Sequence, residues 1–197
     1  MFRALSPVLL WFWLISPSLG GDYTLDATER DVVRRLAEKV LKDQSLSTGR
    51  VVLTRIEVFQ DSRSPSSAKK VVAIFYRYEG DLAILVSINI TRREVLRVES
   101  YPHMPTSLTP DELAEAEKLA REHPDVVRSL AKQRPEDKIE VDSLVPRTVD
   151  PESPYYHHRV VRIHFRIGRT YLLYGPTVDV DLHTRKVYVQ GVSPGHP

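Results

Sequence analysis

The chain has 197 residues, of which 42% are hydrophobic and 27% charged, and these proportions are typical of a globular protein rather than a disordered one. Its formal net charge is only +2. Nucleic acid is therefore excluded as the main partner, because binding by counterion release needs a concentrated basic face. The sequence contains no cysteine, so disulfides and thiolate metal sites are excluded and the core must be held by packing.

Residues 1–20 have the pattern of a secretory signal peptide. Arg3 precedes an apolar stretch from Ala4 to Ile15, and small residues end the segment at Ser18 and Gly20. That twelve-residue stretch, interrupted only by Ser6 and Pro7, would span about 18 Å as a helix, less than the ~30 Å core of a bilayer. The pattern predicts a secreted, extracellular protein with no membrane span after removal of the leader. An uncleaved amphiphilic anchor is the alternative.

The rest of the chain repeats one pattern, a capped amphipathic helix followed later by an alternating hairpin. In each copy a capping residue stands three positions before a glutamate, the spacing of a capping box. The two pairs are Asp26 with Glu29 and Thr109 with Glu112. The closing hairpins align without a gap, residues 86–95 against 178–187. This internal repeat predicts two similar domains of the mature chain.

In the first domain, residues 21–100, apolar side chains recur at helical spacing and four strands follow. The helix face consists of Val32, Val33, Leu36, Ala37, Val40 and Leu41. The strands are predicted over residues 51–59, 71–78, 81–90 and 94–100. Residues 101–106 contain two prolines, which restrict the backbone, and we interpret them as the linker between the domains.

The second domain, residues 107–197, opens with a helix that Pro124 interrupts, so a helix, a break and a second short helix are expected. Strands are predicted over 138–144, 159–167 and 170–174, and the last hairpin begins at Val178. In each domain, a helix packed on one face of an antiparallel sheet buries these apolar faces. The fold class is therefore α+β.

Asn89, Ile90 and Thr91 match the acceptor pattern for an N-linked glycan. If the protein is exported from a eukaryotic cell, Asn89 is the candidate glycosylation site. The alternation of Ile88 and Ile90 predicts that Asn89 lies on the outer face of its strand.

Several of these segments resemble copper amine oxidases. The stretch from Leu108 to Glu117, the break at His123 and Pro124, and residues 175–187 look like the third N-terminal domain of those enzymes. Residues 25–98 look similar to the second N-terminal domain. The resemblance implies two tandem cystatin-like domains, each a helix on a four-stranded sheet.

The family oxidises primary amines to aldehydes with copper and a tyrosine-derived quinone, both held in a large C-terminal domain that has no counterpart here. In the family, the quinone tyrosine follows an asparagine, whereas the sole asparagine, Asn89, precedes Ile90. Two copper ligands form a His-x-His pair, and no two histidines here are separated by one residue. We therefore expect no catalytic, cofactor-binding or metal-binding residues and no cofactor in this chain.

Three polar groups have competing interpretations. Asp179, Asp181 and His183 could hold a divalent cation, but alternating polar residues are also what the outward face of a strand requires. A row of Arg162, His164 and Arg166 could receive an anion or an acidic partner, or could pair with those acids across strands. The aromatic pair Tyr155 and Tyr156 suggests a contact surface, or equally a covered sheet edge.

Two functions remain. The first is a secreted, noncatalytic accessory or interaction module, with Arg162, His164, Arg166, Tyr155 and Tyr156 as the possible contact surface for an unknown protein partner. The alternative is the front part of a copper amine oxidase, whose missing catalytic domain would then be the partner and whose full-length form deaminates primary amines. Protease inhibition is disfavoured, because the nearest match to a Gln-x-Val-x-Gly hairpin, residues 190–194, has proline in place of the glycine.

Overall fold

The structure is a computed structural model that describes residues 25–59, 69–132, 139–144, 150–153, 155–167, 170–171 and 177–190. The predicted signal peptide lies outside the described residues, so secretion stays a prediction. Within the described part of the chain, every helix is too short or too polar to cross a membrane.

The first half forms one helix and a four-stranded antiparallel sheet, as the sequence predicts. The elements are α1 (Ala27–Asp43), β1 (Val51–Phe59), β2 (Lys70–Arg77), β3 (Leu82–Asn89) and β4 (Glu94–Pro102). The strands lie in the order β1-β2-β3-β4. β4 continues two residues into the predicted linker, because Tyr101 and Pro102 still lie opposite Ala83 and Leu82.

Helix α1 begins with the predicted capping box. The Asp26 carboxylate accepts from the Glu29 amide at 2.7 Å, and the Glu29 carboxylate accepts from the Asp26 amide at 3.2 Å. Val33, Ala37 and Leu41 recur every fourth residue and are buried against the sheet. This spacing puts them on one side of the helix and therefore builds the first core.

The second half forms two helices and a five-stranded sheet. Its elements are α2 (Pro110–Glu122), α3 (Pro124–Leu130), β5 (Ile139–Leu144), β6 (Val160–Ile167), β7 (Thr170–Tyr171), β8 (Thr177–Asp181) and β9 (Lys186–Gln190). The main path is β5-β6-β8-β9, and the two-residue β7, which begins the strand predicted over 170–174, pairs with β6. The sheet therefore has one strand more than the four that the family resemblance implies. The predicted helix break is confirmed at His123, which ends α2 and precedes Pro124.

The α+β class is thus confirmed, with a helix on an antiparallel sheet in each half. The small side chains of Ala116 and Ala120 bring α2 close to β6 and β8, where Val161 and Val180 are fully buried. Cystatin-like shape and the division into domains at residues 100 and 107 stay predictions.

The repeat is also present at the level of single turns. Asn89 accepts from the Arg92 amide at 3.0 Å in the hairpin that joins β3 to β4. Asp181, 92 positions later, accepts from the Thr184 amide at 3.2 Å in the hairpin that joins β8 to β9. Arg93 and Arg185, also 92 positions apart, both have a left-handed backbone, with φ of 52° and 59°. The two hairpins therefore have the same type of turn.

Candidate functional site

Two tyrosines at the end of β2 join the two halves of the molecule. Tyr76 and Tyr78 lie on the face of the first sheet that points away from α1, and each is only 2% exposed. They pack in the second core, with their rings in a T-shaped contact at 5.1 Å between centroids. Because a tyrosine has an apolar ring and a polar tip, this junction is closed by apolar packing and also carries hydroxyl groups that need partners.

Glu112 is the polar centre of the junction. It is 1% exposed, and it belongs to the capping box of α2 because its carboxylate accepts from the Thr109 amide at 2.7 Å. The same carboxylate accepts from the Tyr78 hydroxyl at 2.6 Å and from two guanidinium nitrogens of Arg159 at 2.6 and 3.0 Å. Each oxygen therefore has two donors, and the carboxylate has no capacity left for a substrate.

These bonds decide the charge state of the buried groups. Burial alone would raise the pKa of Glu112, but the hydrogen bonds from Arg159, Tyr78 and the Thr109 amide outweigh it and lower the pKa below its ordinary value. Burial, together with an acceptor carboxylate for each hydroxyl, raises the pKa of both Tyr76 and Tyr78. Glu112 is consequently ionised at neutral pH, while both phenols keep their protons and act as donors.

Arg159, which directly precedes β6, binds the Glu112 carboxylate. Besides its two bonds to Glu112, it donates to the Thr106 hydroxyl at 2.9 Å and to the Ser107 carbonyl at 2.6 Å. Its guanidinium also lies 4.3 Å from the centroid of the Tyr76 ring, a cation–π distance. One side chain thus connects β2, the segment before α2, and α2 itself.

A second arginine covers the rim of the same junction. The Arg50 guanidinium lies 4.3 Å from the centroid of the Tyr78 ring and donates to Glu115 at 2.6 Å and to the Leu182 carbonyl at 3.3 Å. Glu115 also pairs with Arg185 at 3.2 Å. These contacts join the start of β1 to α2 and to the turn after β8, so the rim reinforces the buried centre.

Two histidine groups flank this network. In one, His158 donates to the Asp181 carboxylate at 2.6 Å and stacks on His183 with ring centroids 4.8 Å apart. In the other, His103 and His157 stack at 3.7 Å beside Asp81. Imidazoles and carboxylates in such groups are possible metal ligands, and sequence reasoning predicted none here.

The acids considered as a cation site are buried instead. Asp179 and Asp181 alternate with the core residues Val178, Val180 and Leu182, so they lie on the outer face as expected, but they have no surface exposed to solvent. Asp179 is covered because Arg162 donates to it at 2.7 and 2.9 Å and the Tyr155 hydroxyl at 2.8 Å. Burial would raise the pKa of Asp181, but hydrogen bonds from Thr184, His158 and two turn amides lower it below its ordinary value.

The predicted arginine row lies on the face of the second sheet opposite the helices, as the alternation indicates. Cross-strand pairing with acids, one of its two interpretations, is what the structure contains. Arg162 lies opposite Asp179 in the strand register, and Arg166 lies opposite Glu140 and pairs with it at 3.1 Å. His164 contacts the Thr177 hydroxyl at 3.4 Å.

The two predicted tyrosines are half-buried, and Tyr155 lies beside this face because its hydroxyl donates to Asp179. Tyr155 makes a T-shaped contact with Tyr188 at 5.5 Å, and Tyr156 packs against His157 with centroids 3.7 Å apart. Tyr155 therefore belongs to the arginine row through Asp179, whereas Tyr156 belongs to the histidine group. Their role as a contact surface stays a prediction.

Asn89, the candidate glycosylation site, is 5% exposed. It lies at the end of β3, where its side-chain oxygen accepts from the Arg92 amide in the turn. Asn89 alternates with the buried Ile88, as predicted, but its side chain is covered in the turn and does not face solvent. Since a glycan needs an accessible amide, this burial argues against modification at Asn89.

Comparison with solved structures shows what the fold of this chain is similar to. A copper-containing benzylamine oxidase from Hansenula polymorpha is similar in structure, with a TM-score of 0.57 and 14% sequence identity. The similarity covers 82% of this chain but only 28% of that enzyme. No protein-family model and no curated protein sequence matches the chain. At this identity the likeness shows the fold alone, and the chain spans less than a third of the enzyme's length.

Proposed function

We propose that the chain is a secreted, noncatalytic accessory or interaction module related to the N-terminal part of copper amine oxidases. The observation that carries this proposal is that 82% of the chain has a fold similar to 28% of one such enzyme. The sequence resemblance to the second and third N-terminal domains supports the assignment of that share.

The chemistry of the junction supports a structural role. Glu112 is saturated by four intramolecular donors, and Arg159 is 3% exposed on its side chain. A catalytic acid or base needs a free position within hydrogen-bond reach of a substrate. Here these groups are occupied by the fold, so the junction serves to hold one sheet against the other.

A partner would meet the outer face of the second sheet. Arg162, His164 and Arg166 are partly exposed there, and Tyr155 and its chain neighbour Tyr156 are partly exposed as well. Tyrosine and arginine are enriched in protein interfaces, which supports this face as the contact surface. The partner is a protein of unknown identity, or the catalytic domain of an amine oxidase.

The alternative is that the chain is the N-terminal part of an enzyme that oxidises primary amines with copper and a quinone. The name of the structural neighbour, a copper-containing benzylamine oxidase, favours this candidate over other enzyme classes. A genomic reading frame that continues into a domain with an Asn-Tyr pair and a His-x-His pair would favour it over the module.

An activity assay tests the module directly. The purified full chain, with and without added Cu²⁺, is incubated with benzylamine and with a polyamine while hydrogen peroxide release is followed, and a copper amine oxidase serves as positive control. We expect no release above buffer. Turnover that grows with the amount of chain would refute the noncatalytic proposal.

Export is tested in a eukaryotic host that expresses the chain with its own first twenty residues. We expect protein in the medium with an N-terminus at Gly21, measured by mass spectrometry. Because Asn89 is buried, we expect no change in electrophoretic mobility after glycosidase treatment. Retention in the cell, or a shift in mobility, would contradict the respective expectation.

A further inference from the structure

Asp81, His103 and His157 bring three possible metal ligands together at the edge of the junction. Asp81 lies in the turn between β2 and β3, His103 directly follows β4, and His157 lies in the segment before β6. The three ligand atoms lie within 4.8 Å of one another. No two of these residues are close in sequence, so the fold alone assembles the group.

The spacing of the donor atoms suits a small divalent ion. Asp81 Oδ2 is 2.9 Å from His103 Nδ1 and 3.9 Å from His157 Nδ1. Ligands about 2.0–2.1 Å from a tetrahedral Zn²⁺ lie about 3.3 Å from each other, and the two measured distances fall on either side of that value. Two imidazoles and one carboxylate are a ligand set that suits zinc, copper and nickel.

The carboxylate is held in place from behind. The Tyr76 hydroxyl donates to Asp81 Oδ1 at 2.8 Å, which leaves Oδ2 directed at the two imidazoles. The backbone is fixed as well, since the His103 amide donates to the Asp81 carbonyl at 2.7 Å. Such outer contacts orient ligands in metal sites and contribute to their affinity.

The ligands also leave room for solvent. The side chains of His103 and His157 are 49% and 41% exposed, and that of Asp81 is 17% exposed. An ion bound by one carboxylate and two imidazoles could therefore complete its coordination with water, and it could enter from solvent without a rearrangement of the core. By contrast, Asp181 beside His158 already accepts four hydrogen bonds.

We propose that Asp81, His103 and His157 bind one divalent transition-metal ion, with Zn²⁺ as the reference ion. The two rings are stacked at 3.7 Å in the structure, and both side chains are exposed enough to rotate. On binding they turn apart, so that the ion is held by Asp81 Oδ2 and the two Nδ1 atoms, with water in the open position. It links the turn and the end of the first sheet to the segment that leads into β6, so it clamps the two halves of the molecule together. The site lacks a His-x-His pair and is independent of any amine oxidation.

The test is zinc binding by the full chain, purified without a histidine tag and titrated by calorimetry. We expect one equivalent of Zn²⁺ to bind, and we expect His103→Asn and His157→Asn each to weaken binding at least tenfold. His123→Asn is the matched control, because His123 is a lone imidazole at the junction of α2 and α3. It should leave the affinity unchanged.

Cu²⁺ gives a second readout that does not depend on affinity. Electron paramagnetic resonance of the copper-loaded chain should show hyperfine coupling to two imidazole nitrogens, reduced to one in either histidine variant. Circular dichroism of the metal-free variants checks that they are folded. The proposal would be overturned if the chain showed no saturable zinc binding. It would also be overturned if both histidine variants bound zinc and gave copper spectra like those of the unaltered chain.

Discussion

The two capping glutamates have the same place in their helices and opposite surroundings. Glu29 pairs with Lys69 at 2.6 Å, and both side chains are 27% exposed. Glu112 pairs with Arg159 at 2.6 Å, and the two side chains are 1% and 3% exposed. One local motif therefore serves as a surface cap in the first half and as the buried link between halves in the second.

The two pairs differ in their exposure to solvent and not in the capping motif. An exposed ion pair is screened and contributes little, whereas a buried pair that loses one partner leaves an uncompensated charge in the interior. The comparison therefore predicts that matched changes in the two halves will have very different costs.

The largest difference is expected when the cation of each pair is removed. Arg159→Met should lower the free energy of unfolding by about 3–5 kcal/mol, because Glu112 stays charged and buried. Lys69→Met should change it by no more than about 1 kcal/mol. Both are measured by denaturant unfolding at neutral pH. Equal losses in the free energy of unfolding would show that burial does not make the Glu112–Arg159 pair more important for stability than the Glu29–Lys69 pair.

Low pH should weaken the buried pair by protonating Glu112, with a smaller effect on stability than the loss of Arg159. The pKa of Glu112 lies below its ordinary value of 4.5, and that of Asp181 lies below 3.8. A carboxyl group with a lowered pKa stabilises the fold above its ordinary value, and this contribution is lost as the pH falls through the folded-state pKa. The free energy of unfolding should be flat near neutrality and fall below about pH 4.5.

The variant Glu112→Gln should make that acid decline shallower, since it removes one of the carboxyl groups whose pKa is lowered in the folded state. The measurement is the denaturant midpoint between pH 7 and pH 3. A variant profile parallel to that of the unaltered chain would assign the decline to other carboxyl groups.

Removal of one hydrogen bond is expected to cost less. Tyr78→Phe deletes the hydroxyl that donates to Glu112 and should cost about 1.5–3 kcal/mol, the range for bonds to charged groups. Tyr101→Phe is the control, because the Tyr101 hydroxyl donates to Glu99 on the surface at 2.6 Å. The control should leave the unfolding midpoint unchanged.

The smallest effect is expected at the capping residues themselves, where the two halves are alike. Asp26→Ala and Thr109→Ala should each cost about 1 kcal/mol, since each removes one bond to an amide of the first turn. Thermal unfolding followed by circular dichroism measures both. A much larger loss for Thr109→Ala would mean that the cap also positions Glu112 for Arg159.

Local features of the fold could be predicted from the sequence. The capping boxes, the helix break at Pro124 and the hairpin offset of 92 positions depend on residues close together in the chain, and the structure contains all of them. The strand predicted over residues 170–174 is present as the two-residue β7, but the four-stranded sheet implied by the family resemblance left no place for it beside β6.

The junction could not be predicted in the same way, because its bonds join residues 34 and 47 positions apart. One signal was available. β2 is apolar on both faces, with Phe75 toward α1 and Ile74, Tyr76 and Tyr78 on the other side, and a strand of that kind is covered on both sides. The histidine group with Asp81 had no such signal, since its members lie in separate turns.

Tyr76 and Tyr78 also have a consequence for the order of folding. They are supplied by the first half of the chain but are packed in the core of the second, and a ribosome completes the first half earlier. Their aromatic surface is therefore ready as a platform when residues 110–190 emerge. The second half therefore folds against the first, and a segment that contains only the second half lacks part of its own hydrophobic core.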